Sequence, residues 1–238
     1  MMLKIGVVCE GQTDFVAMKT FIENEFSESE RKVELSIIQP AMDNTLPSGW
    51  AQVLYWLENN DYEYRSSIYG KNGALFAVED EESKFDALIF QIDSDILDED
   101  SFQNFLKKRG LGSDPAKTNI ERGSAIAHIL LSIAGHQSEQ QAISKSEVVV
   151  PIVESSEAWL IAAENVTPNA EHLIGQPLIK AFGDLVARMS GKAPKPSYSK
   201  INKKVSTRKK LCASLVKVSG PAGRCHHYDD AIRKIRML

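Results

Sequence analysis

Leu3-Lys4-Ile5-Gly6-Val7-Val8-Cys9, running straight into Glu10-Gly11-Gln12-Thr13-Asp14, decides the fold class of this chain. The first seven residues form a short apolar run rich in aliphatic side chains, which reads as a buried strand. Gly11 suits a tight turn where backbone approaches a ligand. Thr13 can then cap a helix through Phe26 whose apolar face is Phe15, Met18, Phe21, Ile22 and Phe26. The same layout recurs at Ala87-Leu88-Ile89-Phe90-Gln91-Ile92, which ends in Asp93-Ser94-Asp95. Between these runs lie a strand at 33–39, stopped by Pro40, and a helix from Ser48 or Gly49 to about 59 with Trp50, Val53, Leu54 and Leu57 inward. Residues 60–84 read as irregular, Tyr-rich and then acidic at 79–82, either a long loop or a small insertion. Helices follow at 101–109 and 120–134. A fourth apolar run at 148–153 is broken by Pro151 and so suits an edge strand. Ser155 or Ser156 then caps a helix with Glu157-Ala158-Trp159-Leu160-Ile161-Ala162. This order predicts an α/β fold: a Rossmann-like parallel sheet of about four strands with helices on both faces.

In such a sheet the strand C-termini line the ligand crevice. Glu10, Asp93 and Asp95 all fall there and repel one another. They are tolerable if a cation sits between them or if their pKa values are driven apart. Asp93 and Asp95 are two apart in what reads as an extended segment, so both side chains point one way. Glu154 and Glu157 stand at the next strand end and in the first turn of the next helix, with Glu157 within reach of the crevice. Taken singly, each is an ordinary turn residue, and Glu157 suits a helix dipole. Together they predict a Mg²⁺ (or Mn²⁺) site. Glu10, Asp93 and Asp95 are its catalytic and ligating residues, and Glu157 is a further ligand or the group that orients an attacking water.

Bulk properties narrow the setting. The chain has 238 residues, 43% hydrophobic and 25% charged, which suits one large domain or one domain with an appendage. No apolar stretch approaches a membrane span, and the N-terminus lacks a signal-peptide layout. Three cysteines (Cys9, Cys212, Cys225) without framework spacing predict a reduced, cytoplasmic setting. Cys225-His226-His227 does not match a zinc spacing, and no phosphate-binding P-loop is present.

The net charge of −4 hides a division: residues 1–191 carry −15 and residues 192–238 carry +11. The two parts either neutralise each other or form an acidic site beside a basic surface for an anionic polymer. The second reading takes residues 1–168 as the catalytic domain and 169–238 as a helical, basic C-terminal region. That region would have helices near 178–189, 207–218 and 228–238, and a Pro/Lys/Ser linker at 191–204. Lys200, Lys203, Lys204, Arg208, Lys209 and Lys210 would then contact nucleic-acid phosphates, and Tyr198 could stack on a base.

Val7-Val8-Cys9-Glu10-Gly11-Gln12-Thr13-Asp14, Ile89-Phe90-Gln91-Ile92-Asp93-Ser94-Asp95 and Glu157-Ala158-Trp159-Leu160 together resemble the Toprim-like superfamily. The likeness is to its small stand-alone bacterial members, which carry Glu-Gly-x-Thr-Glu, Asp-x-Asp and Glu-Ala-Trp-Leu. It covers roughly residues 3–165. Asp14 stands where Glu is usual, and the separation of Glu10 from Asp93 requires an insertion. The resemblance implies a Mg²⁺-dependent nuclease with Glu10 as general acid/base or ligand and Asp93 and Asp95 holding the ion. It also implies nucleic acid as partner and, in some members, an ATPase partner and a role in phage defence. No membrane is expected, and a homo-oligomer is left open. Two other readings stand beside it. One is a nucleotide-sugar glycosyltransferase using the Asp-x-Asp for Mn²⁺ and diphosphate. The other is a non-catalytic Toprim-like binding module.

Overall fold

The computed structural model describes residues 1–40, 48–71, 84–112, 118–217 and 220–238. Four strands form one all-parallel sheet: β1 (Met2–Val8), β2 (Lys32–Gln39), β3 (Ala87–Asp93) and β4 (Glu147–Ile152), in the order β2-β1-β3-β4. Ile5 pairs with Leu35 on one side and with Ala87 on the other, and Phe90 pairs with Val149. Ten α-helices are present among the described residues. The fold is therefore the expected parallel α/β sheet with helices on both faces.

Period-two alternation sorts the strand side chains between two cores. Leu3, Ile5, Val7, Ala87, Ile89, Val148, Val150 and Ile152 face one core. There they meet α1 (Gln12–Glu25), α7 (Glu157–Glu164), α8 (Gln176–Met189), α9 (Val205–Leu215) and α10 (His226–Arg236). Val8, Leu88, Phe90, Ile92 and Val149 face the other, against α2 (Trp50–Asn59), α4 (Asp100–Lys108) and α5 (Asn119–Ala134). Both faces being covered explains why β3 and β4 are buried at every residue.

The C-terminal helices belong to the first core. Trp159 is fully buried and meets Tyr228 edge-on at 5.0 Å, and the Tyr228 hydroxyl donates to the Phe21 carbonyl at 3.0 Å. Two cations of this region, Arg208 and Lys234, are buried, and three are paired with acidic residues of the preceding part. Arg208 pairs with Glu157, Lys234 with Glu139 at 2.6 Å and Arg236 with Glu25 at 3.1 Å. The two oppositely charged parts of the chain thus neutralise each other in part.

Two stretches differ from expectation. The segment read as irregular from residue 60 begins with a helix, α3 (Tyr62–Tyr69), capped by the Asp61 side chain. Arg65 ties it down: its guanidinium is buried, donates to Glu147 at 2.8 Å and donates to the Ala134 carbonyl at 2.8 Å. His136 shares Glu147 from the other side at 2.5 Å. The acidic run at 79–82 lies outside the described residues. A short helix, α6 (Glu139–Ser144), precedes β4. As expected, β4 lies at a sheet edge, where Pro151 takes part without needing a second partner strand.

Candidate functional site

The strand ends of β1 and β3 and the first turn of α1 open onto a crevice of about 420 Å³. Its walls include Glu10, Asp14, Asp93, Asp95, Trp50 and Lys203. Glu10 and Asp93, 83 positions apart in sequence, meet directly: the Glu10 carboxylate accepts the Asp93 backbone N–H at 2.6 Å. Gln91 locks the pair. It is fully buried, accepts the Glu10 N–H at 3.3 Å and donates its amide to the Asp93 carboxylate at 2.7 Å. Asp95 also lines the crevice but is not part of an extended pair. β3 ends at Asp93, and Asp95 opens a 3₁₀ turn, Asp95–Asp98. The extended conformation expected across Asp93 and Asp95 is therefore broken, because Ser94 turns into the right-handed helical region, yet both residues line the crevice.

A second layer stands behind the carboxylates. Asp14, on α1, accepts a hydrogen bond from the Ser156 hydroxyl at 2.6 Å, and Ser156 accepts one from Arg208 at 3.2 Å. The Arg208 guanidinium also donates to Glu157. Glu157 is buried, paired with this arginine and set behind the crevice walls, from where its charge still acts on Asp93, Asp95 and Lys203. Arg208 is 1% exposed, so its expected place on an exposed nucleic-acid face is corrected: it is an internal counter-ion. Glu154, with φ of 56°, pairs with Arg122 at 2.9 Å. Lys200, Lys203, Lys204, Lys209 and Lys210 are exposed, and of these Lys203 lines the crevice.

Electrostatics follow from this crowding. Burial, and then the charge of Asp14, lifts the Glu10 carboxyl from its ordinary 4.5 to about 8. Burial, then Asp14 and Glu10, holds Asp93 well above the carboxylate range. Asp14 is raised by burial and by Glu157. Asp95 is pushed up to about 6 by burial, against the pull of Lys203. Glu157 goes the other way: burial would raise it, but Arg208 and its hydrogen bonds lower it. Burial would lower Lys203, but Glu157, Asp14, Asp93 and Asp95 raise it. The crevice thus has more carboxylates than positive charge to match them.

Hard oxygen donors in surplus fit a divalent cation such as Mg²⁺ in chemical type. The side chains as they stand, however, serve one another. Among the described residues no three His, Cys, Asp or Glu are arranged to hold a metal ion. Glu10 faces the Asp93 amide and Asp93 faces Gln91.

Sequence reasoning missed Gln91, Asp14, Ser156 and the inward role of Arg208. Gln91 had a signal, an amide inside an otherwise apolar strand. Arg208 had one too: it falls in register with Leu211, Cys212 and Leu215, the buried stripe of α9. No family model, curated protein or solved structure matches this chain.

Proposed function

We propose that the crevice is the active site of a divalent-cation-dependent phosphodiesterase acting on nucleic acid. The observation that carries this reading is the gathering of Glu10, Asp14, Asp93 and Asp95 in one open crevice, with their pKa values forced upward and Lys203 at its wall. Asp93 and Asp95 would hold the cation, which would supply charge neutralisation of a phosphate and a more acidic bound water.

The chain's own residues do the rest. Lys203 balances a non-bridging phosphate oxygen. The first turn of α1 presents the positive end of its helix dipole to the same space. Glu10, kept protonated near neutral pH, is suited to give a proton to the leaving oxygen. Gln91 fixes the Asp93 carboxylate in its orientation. The exposed Lys200, Lys204, Lys209 and Lys210 hold the polymer backbone outside.

The resemblance to the small stand-alone Toprim-like proteins extends the proposal to an ATPase partner and a part in phage defence. Cys9, Cys212 and Cys225 are buried and unpaired, which supports a reducing cytoplasm. No helix among the described residues is long and apolar enough to cross a membrane.

One observation favours a second reading, the non-catalytic module: the carboxylates already satisfy neighbouring groups. The deciding experiment is incubation of the full chain with plasmid, linear duplex, single-stranded DNA and tRNA in Mg²⁺ or Mn²⁺, beside Asp93→Asn. Cleavage by the wild type alone supports the phosphodiesterase. Nucleic-acid binding without cleavage, in either protein, supports the module.

A further inference from the structure

We propose that the cleft between α8 and residues 191–204 is a pocket for one unpaired nucleobase, so that single strands are the form of nucleic acid this protein holds. The inference rests on the nucleic-acid reading above and names which nucleic acid fits.

Residues 191–204 form no helix or strand but are fastened to α8. The Lys192 N–H donates to the Ala187 carbonyl at 2.9 Å, and the Lys195 N–H donates to the Tyr198 hydroxyl at 3.0 Å. The Tyr198 ring lies on Gly183 so closely that a Cβ there would sit 2.4 Å from a ring carbon. Tyr198 is therefore held as a fixed wall of the cleft. The cavity it borders holds about 280 Å³. Val186 and Ala187 supply apolar surface over the buried Phe182, and Lys192, Lys195 and Lys200 are exposed at the same cavity. That volume falls just below the range of drug-sized ligand sites, which begins at about 300 Å³. It suits one planar ring system better than a folded chain.

Position and charge favour a base over other apolar occupants. Lys200 and Asn202 line this cavity, and Lys203 and Val205 line the carboxylate crevice. Lys200 and Lys203 are three positions apart, at most about 11 Å of extended chain. Residues 192–210 carry eight lysines and arginines and no acidic residue. All but Arg208 are exposed. Asp184, the acidic residue on the adjoining turn of α8, is paired with Lys180 at 2.5 Å. An apolar, aromatic-walled slot ringed by lysines matches a base with its flanking phosphates. Bases stacked within a duplex cannot enter such a slot without being extruded.

The test is fluorescence anisotropy of the full chain at low salt with EDTA. The probes are a labelled single-stranded oligonucleotide and a hairpin duplex of equal length. Ala187→Phe fills the pocket from α8 and leaves the backbone contact of Lys192 in place, and a thermal melt checks that it folds. One stacked base contributes about 1–3 kcal/mol, so single-strand affinity should fall about tenfold while duplex affinity holds. Unchanged single-strand affinity in a folded Ala187→Phe, or equal loss for both probes, overturns the pocket. Wild-type protein that binds neither probe overturns the pocket together with the nucleic-acid reading. Because no cation is present, single-strand binding that depends on Ala187 without any cleavage elsewhere would leave the pocket standing and sink only the catalytic proposal.

Discussion

Replacing Arg208 by Met removes the counter-ion of Glu157 and a charge that acts on Asp14. The Arg208 side chain is fully buried and its Glu157 partner is 4% exposed. Breaking a buried pair by deleting one partner costs about 3–5 kcal/mol, because a carboxylate is left buried without compensation. Ser156 also loses a donor, and with it the brace behind Asp14. For a chain of this size each kcal/mol lowers the melting temperature by about 2–4 °C, so a drop on the order of 10 °C is expected near neutral pH. The pH dependence gives a sharper signature. Glu157 is lowered in the folded protein relative to its ordinary 4.5. The stability it contributes is therefore present above 4.5 and lost as pH falls through the folded value. The gap between wild type and Arg208→Met should accordingly be full at pH 7 and shrink in acid. The double variant Arg208→Met with Glu157→Gln should recover much of the loss, since no charge is then stranded. Urea denaturation across pH reads all three proteins. A loss below about 1 kcal/mol, the range of an exposed pair, would refute the reasoning, as would a double variant no better than the single one.

Two further outcomes follow from the crevice itself. Glu10 and Asp95 are raised to about 8 and about 6, so the folded protein holds protons there that the unfolded chain releases. Stability from these groups is complete below their ordinary values and is lost as pH rises through the folded ones. Without a divalent cation the melting temperature should fall between about pH 5 and 8, and Mg²⁺ should restore part of it; a flat profile contradicts the crowding. Gln91→Leu removes the amide that holds Asp93 and the backbone of Glu10. It should cut cleavage at least tenfold and, because the Glu10 N–H and the Asp93 carboxylate lose a buried partner at about 1–3 kcal/mol, lower the melting temperature by several degrees; full activity would remove Gln91 from the site.

Strands and most helices were legible because burial on both faces writes plain apolar runs. β1, β3 and β4 match their predicted spans to within a residue or so. The meeting of Glu10 with Asp93 was legible as well, since both follow strand ends of one parallel sheet. What escaped reading depends on contacts distant in sequence. α3 carries little apolar periodicity and is held by the Arg65–Glu147 pair, 82 positions apart. Arg208 looked like one cation among many in a basic stretch, and only the helical register with Leu211 and Cys212 turns it inward. The Ser94 turn that takes Asp95 out of line with Asp93 leaves no mark in an Asp-Ser-Asp triplet.

The most direct test of the central claim is a calorimetric titration of the full chain with Mn²⁺, run near pH 7 in two buffers of different ionisation enthalpy and repeated with Asp93→Asn. Carboxyls held protonated must release protons when a cation binds. The wild type should bind saturably with net proton release, and Asp93→Asn should lose that binding. Absence of binding, or equal binding in the two proteins, would contradict it.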